Sequence, residues 1–261
     1  MRHACIVFFM LLWGWFTSAL ASDCLAVAEA LARVQPASLR VETLASNEVQ
    51  ITFVGHSTFR IETAGGVTVA TDYNGNAGGP TPDVVTMNHA HSTHYTDSPD
   101  PAIKHILKGW SEDVAPARHD VMVGDLRIRN VTTDIRSGST TRITDGNSIF
   151  IFEAGGLCIG HLGHLHHELT PGHIGRIGRL DVVMVPVDGR MTMPHANMMA
   201  VLKEIKASLI IPMHVFGPAS LDAFLSEARK SFEVIYLENR TLIASPQTLP
   251  DTPTVMVMSA Y

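Results

Sequence analysis

The chain has 261 residues, of which 46% are hydrophobic and 17% charged, and a formal net charge of -6. This composition excludes a disordered chain and gives enough length for one large domain or two small ones. With no cluster of Lys and Arg, it also excludes a nucleic-acid surface, which needs a concentrated basic patch to displace counterions, and leaves small molecules as the expected partners.

The first residues read as a targeting segment. Arg2 supplies a short positive region, Ile6 to Phe16 an apolar core, and Ala19-Leu20-Ala21 a small-residue cleavage site. A secretory signal over residues 1–21, cut after Ala21, predicts a periplasmic or secreted protein without a stable membrane anchor. An uncleaved anchor is the competing reading, but the apolar core is shorter than the roughly 20 residues that a spanning helix needs. Cleavage removes Cys5 and leaves Cys24 and Cys158. These can pair in an oxidising compartment. The apolar run Leu157-Cys158-Ile159 favours instead a free thiol buried as a small hydrophobe.

Residues 22–48 form an N-terminal extension in which Leu25 to Val34 has helical periodicity. A single domain is expected over residues 49–245, since no linker, charge block or repeat divides it, with 246–261 as a tail or edge strand. Its first half is strand-rich: Val49 to Gly55, then Thr58 to Thr63 and Val67 to Thr71 around the turn Ala64-Gly65-Gly66, then Asp83 to Met87. A helix is predicted over Ala102 to Lys108. Val121 to Val123 and Leu126 to Arg129 flank the hairpin signature Gly124-Asp125, and Ser148 to Phe152 pairs with Leu157 to Gly160 across Ala154-Gly155-Gly156. The second half alternates strand and helix: strands at Asp181 to Pro186, Leu209 to Pro212 and Glu233 to Leu237, helices at Ala196 to Lys206 and Leu221 to Lys230. Alternation of this kind predicts a layered α/β structure.

The densest chemical signal is Asn88-His89-Ala90-His91-Ser92-Thr93-His94, directly after the buried-strand pattern Asp83 to Met87. Neutral imidazole is the commonest ligand of divalent transition metals, and open α/β sheets hold ligands in loops beyond the carboxyl ends of their strands. Further histidines fall near strand ends: His119 before the Val121 strand, His161, His164, His166 and His167 after Leu157-Cys158-Ile159, and His214 after Ile210-Ile211-Pro212-Met213. One such histidine alone reads as structural, whereas their joint placement at one sheet edge reads as a metal site.

In their order along the chain, Val54-Gly55-His56-Ser57-Thr58-Phe59 with Thr71-Asp72, the His89 to His94 loop, Pro116-Ala117-Arg118-His119-Asp120, Ile159-Gly160-His161-Leu162-Gly163 and Ile211-Pro212-Met213-His214 resemble the metallo-β-lactamase superfamily, specifically its L-ascorbate-6-phosphate lactonase-like branch. The resemblance implies an αββα sandwich with metals at one edge. It also implies His89, His91 and His119 as ligands of a first metal, and His94 and His214 as ligands of a second. Two positions depart from the pattern. Thr93 stands where the loop motif has Asp, and His164 stands where an acidic ligand follows His-Leu-Gly. Both changes remove a carboxylate that offsets the metals' charge, which weakens the second site and leaves a pocket of His94, His164 and His214, with Asp97 nearby as a compensating carboxylate.

The metal expected is zinc, one or two ions, with Mn, Fe or Cu also compatible. Three imidazoles and an open fourth position lower the pKa of a bound water towards about 7, so hydrolysis follows from the chemistry. His94 or His164 is then the candidate proton acceptor. Asp72 reads either as an outer-shell partner fixing an imidazole tautomer or as a turn former before Tyr73-Asn74-Gly75. His161 and His167 are outer-shell candidates, and His56 and His195 are candidates for substrate contact, each with a purely structural alternative. His105, His166 and His173 read as structural, and Met191, Met193, Met198 and Met199 as core or pocket lining. The expected function is a hydrolase acting on a small ester, lactone or phosphate-bearing substrate. The alternative is a non-hydrolytic periplasmic metal-binding protein on the same fold.

Overall fold

A computed structural model of the protein describes residues 24–25, 44–113, 115–137 and 141–259. The expected signal segment and nearly all of the helix expected over 25–34 lie outside these residues. In chain order the elements are β1 (Val49–Gly55), β2 (Thr58–Thr63), β3 (Thr68–Ala70), β4 (Val84–Met87), β5 (His105–Lys108), β6 (Asp120–Val123), β7 (Leu126–Ser137), β8 (Thr141–Ala154) and β9 (Leu157–His161). Then follow α1 (Pro171–Ile177), β10 (Val182–Pro186), α2 (His195–Ile205), β11 (Leu209–Met213), α3 (Pro218–Ala228), β12 (Glu233–Tyr236), β13 (Thr241–Ala244) and β14 (Thr254–Val257).

The strands form two sheets, ordered β13-β1-β2-β3-β4-β5 and β12-β14-β11-β10-β9-β8-β7-β6. Period-2 side-chain alternation assigns each strand's residues to layers. On β10, Val182 and Met184 enter the core between the sheets, while Val183 and Val185 face the helical side with Met198, Leu202, Phe224 and Leu225 of α2 and α3. Phe150 and Phe152 of β8 likewise point between the sheets and Ile149 and Ile151 point away. Every residue of β10 and β11 is buried, as expected of parallel strands covered on both faces. The inner layer joins Val49, Ile51, Phe59 and Ile61 of the first sheet to Phe150, Ile159, Met184 and Ile211 of the second. This is the αββα-type sandwich. Over the first sheet's outer face the described cover is loop residues, with Tyr73, Tyr95, Ile103 and Trp110 packed on Val85 and Met87.

Three expectations are corrected. Residues 102–108 do not form a helix: His105–Lys108 is β5, parallel to β4 with Val84 opposite His105 and Met87 opposite Lys108. A short apolar run fits either period, and here the unpaired edge of β4 decides. Cys158 is not a free thiol but is disulfide-bonded to Cys24. It faces the helical side of β9, where the Cys24 carbonyl also accepts the N–H of Arg179 at 2.9 Å. The C-terminal segment is neither tail nor edge, because β14 lies between β11 and β12 and pairs parallel with both. Two elements carried no expectation: β13, which closes the first sheet beside β1, and α1, whose start is set by the Thr170 cap and the reciprocal His173 bond.

Candidate metal centre

One edge of the sandwich collects the ends of both sheets. Asp72 follows β3, Asn88 to His94 follow β4, His161 ends β9, Asp188 follows β10 and His214 follows β11, while the β1–β2 turn supplies His56 and Ser57. Among the described residues five non-glycine residues have positive φ, and three of them are His56 (52°), Asp72 (48°) and His214 (57°). Left-handed backbone at side-chain-bearing residues is costly and concentrates where function demands a particular side-chain direction.

Two carboxylate–imidazole pairs define the centre. His94 donates from Nδ1 to Oδ2 of Asp72, and His214 donates from Nδ1 to Oδ2 of Asp188 at 3.0 Å. With both Nδ1 atoms protonated, both Nε2 atoms carry lone pairs, and these face one another at 3.2 Å. Two acceptors at this distance repel unless a cation lies against them. Donors about 2.0–2.1 Å from a tetrahedral zinc sit about 3.3 Å apart, so the spacing suits one ion. His56 adds a third donor, because its buried Nε2 has no hydrogen-bond partner and the ligand atoms of His56, His94 and His214 all lie within 4.8 Å of one another. The residues therefore fit a divalent metal.

The carboxylates behind the imidazoles are themselves held. Asp72 is fully buried, and its Oδ1 accepts the backbone N–H of Asn88 at 3.1 Å. Burial pushes its carboxyl up, but the charge and hydrogen bond of His94 outweigh burial and keep it below the usual range. Asp188 accepts backbone N–H groups from Arg190 (2.8 Å), Thr192 (3.1 Å) and Met191, together with the Thr192 hydroxyl at 2.5 Å. Burial again opposes ionisation, and the bonds from His214, Thr192 and Arg190 again win. Two buried anions thus stand behind a ligand set that lacks carboxylates, as outer-shell partners that orient each ring and raise its basicity.

His164 packs beside the pair, with ring centroids 4.7 Å from His94 and 4.9 Å from His214. Both of its nitrogens are buried without a partner. Burial, then the neighbouring His94 and His214, hold it far below the usual histidine range, so it is neutral. The same causes lower His56 to about 4.

The other expected residues divide. His89 and His91 adjoin the centre, 6.4 and 6.0 Å from His94 by ring centroid. His89 Nδ1 donates to the Gly146 carbonyl at 2.7 Å, and His91 Nδ1 meets the Thr93 hydroxyl at 3.0 Å, so Thr93 steadies a ring from the place where the motif has a ligand. His119 is not brought in: its Nε2 donates to the Lys108 carbonyl at 2.7 Å and its ring stacks on Phe150. The ligand set His89, His91 and His119 is therefore not assembled in this structure.

His161 is fully occupied, donating to Ser57 O at 2.8 Å and accepting from Gly163 N and Asn88 Nδ2, both at 3.1 Å. His167 accepts the N–H of Asp134 at 3.1 Å, away from the centre. His195 opens α2 with its Nε2 on the Val187 carbonyl at 2.9 Å, which supports its structural reading. Asp97 is exposed beside Tyr95. Asp188 is not singled out by sequence reasoning, and His166 reads there as structural. Asp188 ends the apolar run Val185-Pro186-Val187, and that position at the carboxyl end of a parallel strand was the available signal. His166 packs edge-on against His164 at 4.7 Å.

Relatives agree with this fold. The beta-lactamase superfamily domain matches residues 50–214. A UPF0173 metal-dependent hydrolase of Methanosphaerula palustris is 29% identical over 149 residues, covering 51% of this chain and 68% of that protein. One of Archaeoglobus fulgidus is 24% identical over 223 residues, covering 76% and 96%. The solved structure of a Thermotoga maritima protein described as a Zn-dependent hydrolase of the metallo-beta-lactamase superfamily is 30% identical, with a TM-score of 0.57, and the match covers 80% of this chain and 98% of that one. None of these three is named a lactonase, so what they establish is the superfamily rather than the branch. The chain belongs to the metallo-beta-lactamase superfamily and groups with its metal-dependent hydrolases.

Proposed function

We propose that the protein is a zinc-dependent hydrolase of small ester, lactone or phosphate-bearing substrates, with one metal held by His56, His94 and His214. The observation that carries this reading is the facing pair of Nε2 lone pairs at 3.2 Å, each backed by a buried carboxylate. Three imidazoles with an open fourth position make the ligand set of a catalytic rather than a structural zinc site. A metal there supplies Lewis acidity and a water that ionises near neutral pH.

The chain's own residues supply the rest. Asp72 and Asp188 fix the tautomers of His94 and His214, which makes both rings ligands and removes His94 from the role of proton acceptor. His164, neutral and with both nitrogens unanswered, offers one donor and one acceptor beside the ligand rings, where it orients the attacking water and the substrate by hydrogen bonds. The exposed Phe216, edge-on to His214 at 4.9 Å, gives the mouth an apolar wall. We further propose export to the periplasm or beyond, which the Cys24–Cys158 disulfide supports because such bonds persist in oxidising compartments.

The test is turnover of p-nitrophenyl esters and a phosphodiester by the zinc-loaded chain and by His164→Ala. Activity lost in the variant with metal retained is the expected result. Tight metal binding without turnover of either substrate in the wild type contradicts the hydrolase reading and leaves the second one, a metal-binding protein, which the replacement of two carboxylates by Thr93 and His164 favours.

A further inference from the structure

Beside the metal centre lies a cavity of about 240 Å³ lined by Asp134, Ile135, Arg136, Thr141, Arg142, His166 and His167. It is formed where the long β7–β8 hairpin meets the loop after β9. Two consecutive histidines tie them together: Arg136 donates its backbone N–H to His166 Nδ1 at 2.8 Å, and Asp134 donates its own to His167 Nε2 at 3.1 Å.

We infer that this cavity is a subsite for an oxyanion, the carboxylate or phosphate group of the substrate, bound by Arg136, Arg142 and the Nε2–H of His166. The tautomer of His166 follows from its bonding. Since Nδ1 accepts the Arg136 N–H, the proton of the neutral ring is on Nε2, and this buried Nε2 has no partner among the described residues. A buried donor without an acceptor is rare enough to need an explanation, and a ligand oxygen provides one.

Charge points the same way. Arg136 gives Nη2 to the carbonyls of Arg190 (3.3 Å) and Thr192 (3.0 Å), and no carboxylate among the described residues forms an ion pair with it. Arg142 pairs with Asp134 at 3.0 Å, and the other Asp134 oxygen accepts the N–H of Asp145 at 3.0 Å, so the one carboxylate in the lining is already engaged. The lining keeps an excess positive charge. Guanidinium groups suit carboxylate and phosphate because their planar donors match two oxygens at once.

Position and size make the cavity a subsite. His166 meets His164 at 4.7 Å and His164 meets both His94 and His214, so an anion on His166 lies two rings away from the metal ligands. Arg136 reaches the Arg190–Thr192 segment whose N–H groups hold Asp188, which links the subsite to the loop that orients His214. Whole-ligand pockets run about 300–1,000 Å³, so this one is sized for a headgroup. That the anion belongs to the substrate rests on the hydrolase reading; that the cavity binds an anion does not.

The test is calorimetric titration of inorganic phosphate and, separately, acetate into the zinc-loaded full chain, into Arg142→Gln and Arg136→Gln, and into His214→Ala. Binding of either probe that weakens at least about tenfold in Arg142→Gln, with zinc content and melting temperature unchanged, and that persists in His214→Ala is the expected result. The tighter probe tells phosphate from carboxylate. Binding indifferent to both arginine variants, or abolished by His214→Ala, would place the anion on the metal and overturn the subsite. Binding of neither probe overturns it too, and ester turnover by the same zinc-loaded sample still tests the hydrolase reading separately.

Discussion

The histidines at the centre and those around it are the same residue type at the same edge, yet they are bonded in opposite ways. His94 and His214 each spend Nδ1 on a buried carboxylate and leave Nε2 facing another lone pair, while His56 and His164 have buried nitrogens with no partner. His161 and His195 instead donate to backbone carbonyls, and His167 accepts a backbone N–H. The second group is complete without a ligand and serves as struts between loops. The first is incomplete, and buried polar atoms are tolerated in that state only where another group answers them.

Changes at either group test this contrast. The largest effect is expected from His214→Ala or His94→Ala, which should abolish stoichiometric metal uptake and lower any hydrolytic rate by more than about a hundredfold, because even outer-shell changes cost about 10–100-fold. Asp188→Asn keeps the shape but weakens the hold on the His214 tautomer. Metal affinity measured by competition with a chelator should fall about 10–100-fold, with the fold intact by circular dichroism.

A strut should behave differently. His161→Ala leaves the Ser57 carbonyl and the Gly163 N–H without their partner, so chemical denaturation should show a loss of about 2–4 kcal/mol while metal still binds at wild-type stoichiometry. Acid should expose the incomplete group. His56 and His166 are both lowered from 6.5 to about 4, first by burial. Between those values the unfolded chain binds protons that the native chain refuses. Stability of the metal-free protein is therefore fully present above about pH 6.5 and falls as pH is lowered towards about 4. A melting temperature flat across that window would contradict the burial assigned to these rings. The smallest effect is expected at His119→Gln: no change in metal content, with a modest loss of stability from the Lys108 bond.

Much of this edge was legible in the sequence because histidine spacing and β-branched runs are local signals. The His89–His94 loop, Asp72, His164 and His214 all reach the site from strand ends that the hydrophobic pattern located. What was not legible depends on distant pairing. His119 precedes a strand as expected, but the direction of its ring is set by β5, which periodicity alone reads as a helix. Asp188 is a lone acid after an apolar run, and its role appears only when β10 and β11 lie parallel and in register, with Val185 opposite Pro212. Cys24 and Cys158 are separated by 134 residues, a partnership that no spacing rule predicts.

The most direct test is metal content per chain by elemental analysis of the wild type, His94→Ala, His164→Ala and His119→Gln. One equivalent, lost in His94→Ala and retained in the other two, is the predicted result. Two equivalents with one lost in His119→Gln, or metal retained in His94→Ala, would contradict the centre described by His56, His94 and His214.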